Sequence, residues 1–249
     1  MIVAGTSALV TGASRGLGAA MAVALARAGA RRVFINHLGD ADAAEQSAER
    51  VRACGAEAVV VEADVADPRA VDAMARAVTA HLGGAALDAL VNNAGIITKP
   101  GSWDEQSDAD LARTLGVDLA GVMHCTRAFA PAMREAGRGC VVNIASDNGI
   151  AGTAAIASYS AAKAGVIQYT RNMAVALAPR VRVNAIAPGV CDTDMTRAAG
   201  DEVLGYLLAK TPLKRIGRPE EIADALLFLI GNEFTTGTIL VVDGGITLP

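Results

Sequence analysis

The chain has 249 residues, of which 52% are hydrophobic, 19% are charged and only 3% are aromatic. This content is enough for one large hydrophobic core, and a core rich in Ala, Val, Leu and Ile suits a parallel sheet that is covered by helices. The formal net charge of −4 argues against nucleic acid or an anionic membrane as the main partner.

Short apolar runs alternate along the chain with longer alanine-rich segments that have the period of a helix. The predicted strands cover residues 7–10, 32–35, 58–61, 87–91, 140–144, 181–186 and 238–242. The predicted helices cover residues 17–28, 41–53, 68–81, 108–134, 156–177 and 219–230. Because no linker, charge block or repeat interrupts this alternation, we expect a single α/β domain over residues 1–249. Its predicted fold is a doubly wound (Rossmann) parallel sheet of about seven strands with helices on both faces.

Residues 191–218 form the longest predicted stretch without a strand. They follow the sixth strand, at the carboxyl edge of the sheet, where ligands bind in folds of this class. We therefore expect this segment to be a substrate lid.

The four cysteines form no CxxC motif and have no histidine nearby at metal-ligand spacing. This pattern is typical of free thiols in a reducing compartment, and it predicts no metal site. The N-terminus lacks the features of a signal peptide, and no apolar run reaches the roughly 18 residues of a membrane span. We therefore expect a cytoplasmic protein that does not bind membranes.

A glycine-rich turn, residues 11–18 (TGASRGLG), lies between the first strand and the first helix. Glycines there permit a tight turn and the close approach of a ligand, and the helix N-terminus favours a pyrophosphate. The GxxxGxG spacing differs from the GxGxxG fingerprint, and a purely structural turn also explains three glycines. The position after the first strand of a βαβ unit favours a dinucleotide.

The end of the second strand bears on the choice of dinucleotide. Folds that bind NAD place a carboxylate there for the ribose 2′-hydroxyl, whereas this strand ends with Asn36 and His37. Asp40 and Asp42 come later and are better placed to begin the next helix. Arg15 in the glycine turn could meet the 2′-phosphate of NADP, although it could equally be a solvated turn residue. Together these features favour NADP over NAD.

Tyr159 and Lys163 lie four residues apart on a predicted helix and therefore share a face. A free tyrosine has a pKa near 10, and lowering it towards ~7 requires roughly 4 kcal/mol. One cation at about 4 Å supplies a comparable amount at an intermediate dielectric, so Lys163 is an adequate activator. The pair alone is also compatible with a half-buried tyrosine beside a surface lysine.

Other candidate binding residues lie at the ends of neighbouring strands. Ser146 follows the fifth strand, residues 92–95 (NNAG) end the fourth, and Asp64 and Val65 follow the third. Because the carboxyl ends of parallel strands meet at one edge, we expect these groups to line one crevice with the glycine turn.

In order and spacing, these motifs and residues 187–189 (APG) resemble the short-chain dehydrogenase/reductase family, in particular its 3-oxoacyl-carrier-protein reductases. The resemblance runs from Ser7 to residues 242–245 (VDGG). It implies an oxidoreductase that transfers a hydride between NADP(H), or alternatively NAD(H), and a carbonyl or secondary-alcohol substrate. The substrate itself is not evident from these motifs.

The resemblance also implies roles for individual residues. Tyr159 would exchange a proton with the substrate oxygen, and Lys163 would lower the pKa of Tyr159 and bind the nicotinamide ribose. Ser146 would hold the substrate oxygen and stabilise charge on it. The candidate cofactor-binding residues, taken from the strand ends and from this resemblance, are Gly12, Ser14, Arg15, Gly16, Leu17, Gly18, Asn36, His37, Asp64, Val65, Asn93, Ala94, Gly95, Tyr159, Lys163, Pro188, Gly189, Cys191 and Thr193.

One position departs from the family pattern, because Asp118 stands where the family usually has Asn. That residue helps to hold a water that joins the lysine to a proton relay, partly through its backbone carbonyl. A carboxylate there could pair with Lys163 and weaken its effect on Tyr159. We expect activity to persist with an altered pH profile.

Two alternatives belong to other functional classes. One is a non-catalytic dinucleotide-binding protein, motivated by Asp118, and the other is a methyltransferase, which has no use for the Tyr159–Lys163 pair. Family members form tetramers through the last helix and strand, but residues 232–237 are shorter here than the usual loop. We expect a homo-oligomer, either a tetramer or a dimer.

Overall fold

The computed structural model describes residues 3–98 and 103–248. Seven strands form one parallel sheet in the order β3-β2-β1-β4-β5-β6-β7. The strands are β1 Ser7–Val10, β2 Arg32–His37, β3 Glu57–Glu62, β4 Ala89–Asn92, β5 Cys140–Ile144, β6 Arg182–Pro188 and β7 Ile239–Val242. The doubly wound sheet predicted from the sequence is confirmed. Its strand order reverses between β1 and β4, the point at which such sheets bind ligands.

Helices cover both faces of the sheet. On one face lie α1 Gly16–Arg27, α2 Ala41–Arg52 and α9 Pro219–Gly231, and on the other lie α3 Pro68–His81, α4 Asp108–Leu115, α5 Gly121–Glu135 and α6 Ala157–Leu177. Leu25 and Leu226 belong to the apolar core under the first face, and Val71 and Met133 to the core under the second. These side chains are fully buried, and each contributes roughly 1.5–3 kcal/mol.

Two asparagines pair across the centre of the sheet. Asn92 donates from Nδ2 to Oδ1 of Asn143 at 2.8 Å, and Asn143 donates to the Thr170 hydroxyl of α6 at 2.9 Å. These bonds join β4, β5 and α6 in a fixed register. They therefore hold the end of β5 against the helix that carries Tyr159 and Lys163.

The long helix predicted over 108–134 is interrupted. A π-helical segment, Gly116–Ala120, separates α4 from α5 and contains Asp118. Such segments often occur at functional sites, because the wider turn re-aims its side chains. The prediction missed it, since one extra residue in a turn barely alters the hydrophobic period.

The segment predicted to be a lid contains two helices that the prediction missed, α7 Asp194–Arg197 and α8 Asp201–Lys210. Its two ends are joined by an isolated parallel bridge between Cys191 and Gly217. Arg215 anchors its C-terminal end to α9 by an ion pair with Glu221 at 2.7 Å. The segment is thus a closed loop that bears helices.

The four cysteines, Cys54, Cys125, Cys140 and Cys191, are free thiols, as predicted. Within residues 3–98 and 103–248, no helix combines the length and the apolar character needed to cross a membrane. In the same two ranges, no three His, Cys, Asp or Glu side chains are grouped so that they could hold a metal ion.

Candidate active site

Ser146, Tyr159 and Lys163 lie together at the carboxyl edge of the sheet. Ser146 follows β5 in an extended conformation, and its hydroxyl is close enough to Tyr159 to lower the pKa of the phenol. The Lys163 ammonium lies 5.4 Å from the centre of the Tyr159 ring. The predicted spacing on α6 therefore places the phenol between a hydroxyl and a cation.

Two glycines permit the close packing around α6. A Cβ atom on Gly149, in the turn after Ser146, would lie 2.8 Å from the carbonyl carbon of Lys163. A Cβ atom on Gly165 would lie 2.9 Å from the side chain of Leu119, in the π-helical segment. Glycine at these positions brings both the end of β5 and the π-helical segment against α6.

Lys163 and Asp118 form a buried ion pair, as the sequence led us to expect. Lys163 Nζ lies 3.2 Å from Asp118 Oδ1, and the two side chains are 3% and 0% exposed. Lys163 also donates to the carbonyl of Ile144 at 3.0 Å, and the Ile96 N–H donates to Asp118 Oδ2 at 3.2 Å. An ammonium has three donors, so one N–H of Lys163 is left for the Tyr159 side or for a ligand.

The charges of this cluster oppose one another. Burial raises the pKa of Tyr159; Lys163 lowers it, but Asp118 raises it again, and the net direction is upwards. Burial would lower the pKa of Lys163, but the carboxylate of Asp118 and the Tyr159 phenol outweigh burial and raise it. The lowered pKa that the Tyr159–Lys163 spacing suggested is therefore absent among the groups of the chain, because burial, together with Asp118, outweighs the lysine.

The glycine turn has the geometry of an anion-binding site. Gly12 and Gly16 have φ of +60° and +56°, and a Cβ atom on Gly18 would lie 2.6 Å from the Asn93 amide nitrogen. Helix α1 begins at Gly16 with no acidic residue in its first turn and no side-chain cap. Its N–H groups and dipole thus favour a pyrophosphate, which fits a dinucleotide.

Residues from other strand ends surround this turn. Asn93 donates to the carbonyls of Thr11 and Gly12 at 2.8 and 3.0 Å. The methyl group of Thr193, at the start of the predicted lid, lies 3.5 Å from the position of a Cβ atom on Gly16. The predicted residues after β1, β4 and β6 therefore converge on one crevice.

Two predicted cofactor residues have their side chains engaged in the protein. Asn36 is 1% exposed, accepts from the Gly12 N–H at 3.2 Å and donates to the Ala63 carbonyl at 3.1 Å. Asp64 pairs with Arg113 at 2.7 Å. The side chain of Asn36 therefore holds the glycine turn in place through the Gly12 N–H, and it is buried away from a ligand.

The position of Asp40 differs in part from the prediction. Asp40 directly precedes α2, as expected, but its carboxylate does not cap the helix and instead forms an ion pair with Arg15. The side chain of Arg15 is 59% exposed. The one cation of the glycine turn thus has an acidic partner that the local sequence did not reveal.

Comparison with known proteins identifies the family. Residues 12–247 match the family model for enoyl-(acyl carrier protein) reductase. The chain is 41% identical over 244 residues to cis-4-hydroxycyclohexanecarboxylate dehydrogenase from Sinomonas cyclohexanicum, with 96% of each chain covered. It is 38% identical over 242 residues to 3-oxoacyl-[acyl-carrier-protein] reductase FabG from Staphylococcus aureus, covering 96% of this chain and 97% of that one. The chain belongs to the short-chain dehydrogenase/reductase family.

A solved structure of this family extends the likeness to the whole fold. It is a 7α-hydroxysteroid dehydrogenase in complex with NADH and 7-oxo glycochenodeoxycholic acid, and it is 32% identical. The two folds agree with a TM-score of 0.91, covering 98% of this chain and 94% of the other. As a member of the short-chain dehydrogenase/reductase family, the chain is an NAD(P)-dependent oxidoreductase.

One residue at this family site was not predicted. Asp147, directly after Ser146, is only 8% exposed. Its Oδ1 accepts hydrogen bonds from the Ser146 hydroxyl at 2.8 Å and from the Asn148 N–H and side-chain amide at 2.7 and 2.8 Å. Burial raises the pKa of Asp147, and the nearby Asp243 raises it further. The only signal in the sequence was its place next to Ser146.

Proposed function

We propose that the chain reduces a carbonyl, or oxidises a secondary alcohol, with NADP(H) as its cofactor. The observation that carries this proposal is that the Lys163 ammonium lies 5.4 Å from the centre of the Tyr159 ring, at the strand end that also bears Ser146. Such a reaction needs one group that exchanges a proton with the substrate oxygen, here the phenol, and one that stabilises charge on that oxygen, here the hydroxyl. The nicotinamide, when bound, accepts or supplies the hydride.

The residues of the chain handle the proton. In oxidation, the substrate O–H proton passes to the Tyr159 phenolate as the C=O bond forms, and in reduction the phenol returns it. When substrate binds, the Ser146 hydroxyl turns from Asp147 Oδ1 to donate a hydrogen bond to the same oxygen and stabilise charge there. Lys163 favours the phenolate, and Asp118, 3.2 Å from its ammonium, moderates that effect.

Replacing the phenol tests this function. Tyr159→Phe removes the proton donor and keeps the ring, so kcat should fall about 10²- to 10⁴-fold. Binding of NADPH, measured by fluorescence, should change little. Full activity in Tyr159→Phe would contradict the mechanism. If the wild type binds NADPH but turns over no ketone or alcohol in a broad screen, the chain is the non-catalytic dinucleotide-binding alternative.

The preference for NADP is supported by the lack of a carboxylate at the end of β2 and by Arg15 in the glycine turn. Asp40 opposes it, because Arg15 must exchange this ion pair for a 2′-phosphate. NAD(H) is the alternative, and a related steroid dehydrogenase has been solved with NADH. We infer that Arg15 carries the preference and that Asp40 limits it.

Kinetics with both cofactors test this inference. Asp40→Asn should raise kcat/KM for NADPH relative to NADH several-fold, and Arg15→Ala should lower the same ratio about tenfold. Each variant is its own control, because the NADH value reports any general damage. A strong preference of the wild type for NADH would overturn the NADP assignment.

We further propose that residues 191–218 act as the substrate lid of a single cytoplasmic domain. Support comes from the bridge that closes the segment and from the exposed apolar side chains of Met195, Tyr206 and Leu213. Limited proteolysis tests this role, since bound cofactor and substrate should protect the segment from cleavage.

The proposal also includes a homo-oligomer, a tetramer or a dimer. Several large apolar side chains are exposed on the surface, among them Val175 of α6, Phe228 of α9 and Phe234. Such side chains suit an interface between protein chains. Light scattering coupled to gel filtration would give the mass, and a monomer would contradict this part of the proposal.

A further inference from the structure

The carboxylate of Asp147 accepts hydrogen bonds on only one of its two oxygens. All three hydrogen bonds to this side chain end on Oδ1. Within residues 3–98 and 103–248, no donor reaches Oδ2. The side chain keeps 8% of its exposure, so the carboxylate is nearly buried without being sealed. Oδ2 is therefore an acceptor that solvent still reaches, and a ligand that displaces this water must supply a donor in its place.

The free oxygen lies close to the oxygen site of the reaction. Ser146 Oγ, which binds the reacting oxygen in the proposed function, is 2.8 Å from Oδ1 of the same carboxylate. The charge of Asp147 also acts on Tyr159 and on Cys191, so the carboxylate lies among the groups of the crevice. Two oxygen-binding positions this close together match two oxygens on adjacent carbons of one substrate.

We propose that Asp147 determines specificity: Oδ2 accepts a hydrogen bond from a hydroxyl on the substrate carbon next to the reacting carbon. The substrate class is then vicinal diols in oxidation and α-hydroxyketones in reduction. This inference rests on the proposed function, because it takes Ser146 as the site of the reacting oxygen. A substrate that carries no donor on the adjacent carbon leaves Oδ2 without a partner. A substrate that carries a carboxylate at that carbon is repelled by the carboxylate of Asp147.

The test compares two substrates that differ by one hydroxyl, 1,2-cyclohexanediol (both isomers) and cyclohexanol, with NAD⁺ and NADP⁺. For the wild type, kcat/KM should favour the better diol isomer by about tenfold or more, the range of a hydrogen bond to a charged acceptor. Asp147→Val should bring the ratio close to one. Asp147→Asn keeps an oxygen acceptor of the same shape and should retain part of the preference. Because each ratio is taken on one variant, a general loss of activity or stability cancels.

A binding measurement separates this inference from the proposed function. The two alcohols are titrated by calorimetry into wild type and Asp147→Val, each saturated with reduced cofactor, so that no turnover is needed. Tighter binding of the diol that is lost in Asp147→Val supports the inference, even if neither alcohol is oxidised and the proposed function fails. Equal binding and equal turnover of diol and cyclohexanol by the wild type would overturn the inference and leave the proposed function standing. A preference that persists in Asp147→Val would also overturn it.

Discussion

Two buried carboxyl groups act on the Tyr159 phenol, and they differ in what they face. Asp118 lies 3.2 Å from the ammonium of Lys163. Asp147 receives hydrogen bonds from the neutral groups of Ser146 and Asn148, and the described chain gives it no cationic partner. Burial raises the pKa of both carboxyls, but only at Asp118 does a nearby cation oppose it.

The difference separates two tasks within one site. A buried carboxylate that is paired with a cation can stay charged, and its charge then sets the proton affinity of neighbouring groups. A buried carboxyl that has only neutral donors is held by hydrogen bonds and is suited to recognising another donor. We therefore assign Asp118 to the proton chemistry of Tyr159 and Asp147 to the recognition of substrate.

Breaking the ion pair should have the largest effect on stability. Lys163→Met leaves the carboxylate of Asp118 buried without its cation, and the free energy of unfolding should fall by about 3 kcal/mol in chemical denaturation. The double variant Lys163→Met/Asp118→Asn removes the orphaned charge and should recover most of this loss. If the double variant is as unstable as Lys163→Met alone, the orphaned charge of Asp118 is not the cause of the lost stability, and the expectation is wrong.

Removing the charge of Asp118 should shift the pH dependence of catalysis. Oxidation needs the Tyr159 phenolate, so its rate rises with pH through the pKa of Tyr159, which Asp118 raises. In Asp118→Asn the midpoint of that rise should move about one pH unit lower, while activity persists. Asp147→Asn is the matched control and should shift the midpoint less, because Asp147 acts on Tyr159 more weakly. Superimposable pH–rate curves for the wild type and Asp118→Asn would contradict this expectation.

These two carboxyls also show how far the sequence could predict the site. The pairing of Asp118 with Lys163 was predictable from the family resemblance, which places the residue at position 118 in the proton relay behind the lysine. The contacts of Asp147 were not, since the direction of a side chain just after a strand depends on the turn that follows, here packed on α6 through Gly149. Arg15 and Asp40 meet only once β1 and β2 are side by side, and neither local pattern reveals it.

The smallest expected effect concerns the stability contributed by Asp147 alone. Its pKa in the folded protein is raised, so the folded state binds the proton more tightly than the unfolded state does. Stability is therefore lost as pH rises from the unfolded carboxyl pKa, near ~3.9, through the folded pKa. Asp147→Asn keeps the acceptor for Ser146 and Asn148 and removes the ionisation, so near pH 7.5 it should be more stable than the wild type, and near pH 4 the difference should shrink. Denaturant unfolding at both pH values measures this. Asp118→Asn should gain less near pH 7.5, because Lys163 opposes the effect of burial on the pKa of Asp118 and loses its carboxylate partner in the variant. An equal gain in the two variants would mean that the cation does not distinguish the two carboxyl groups.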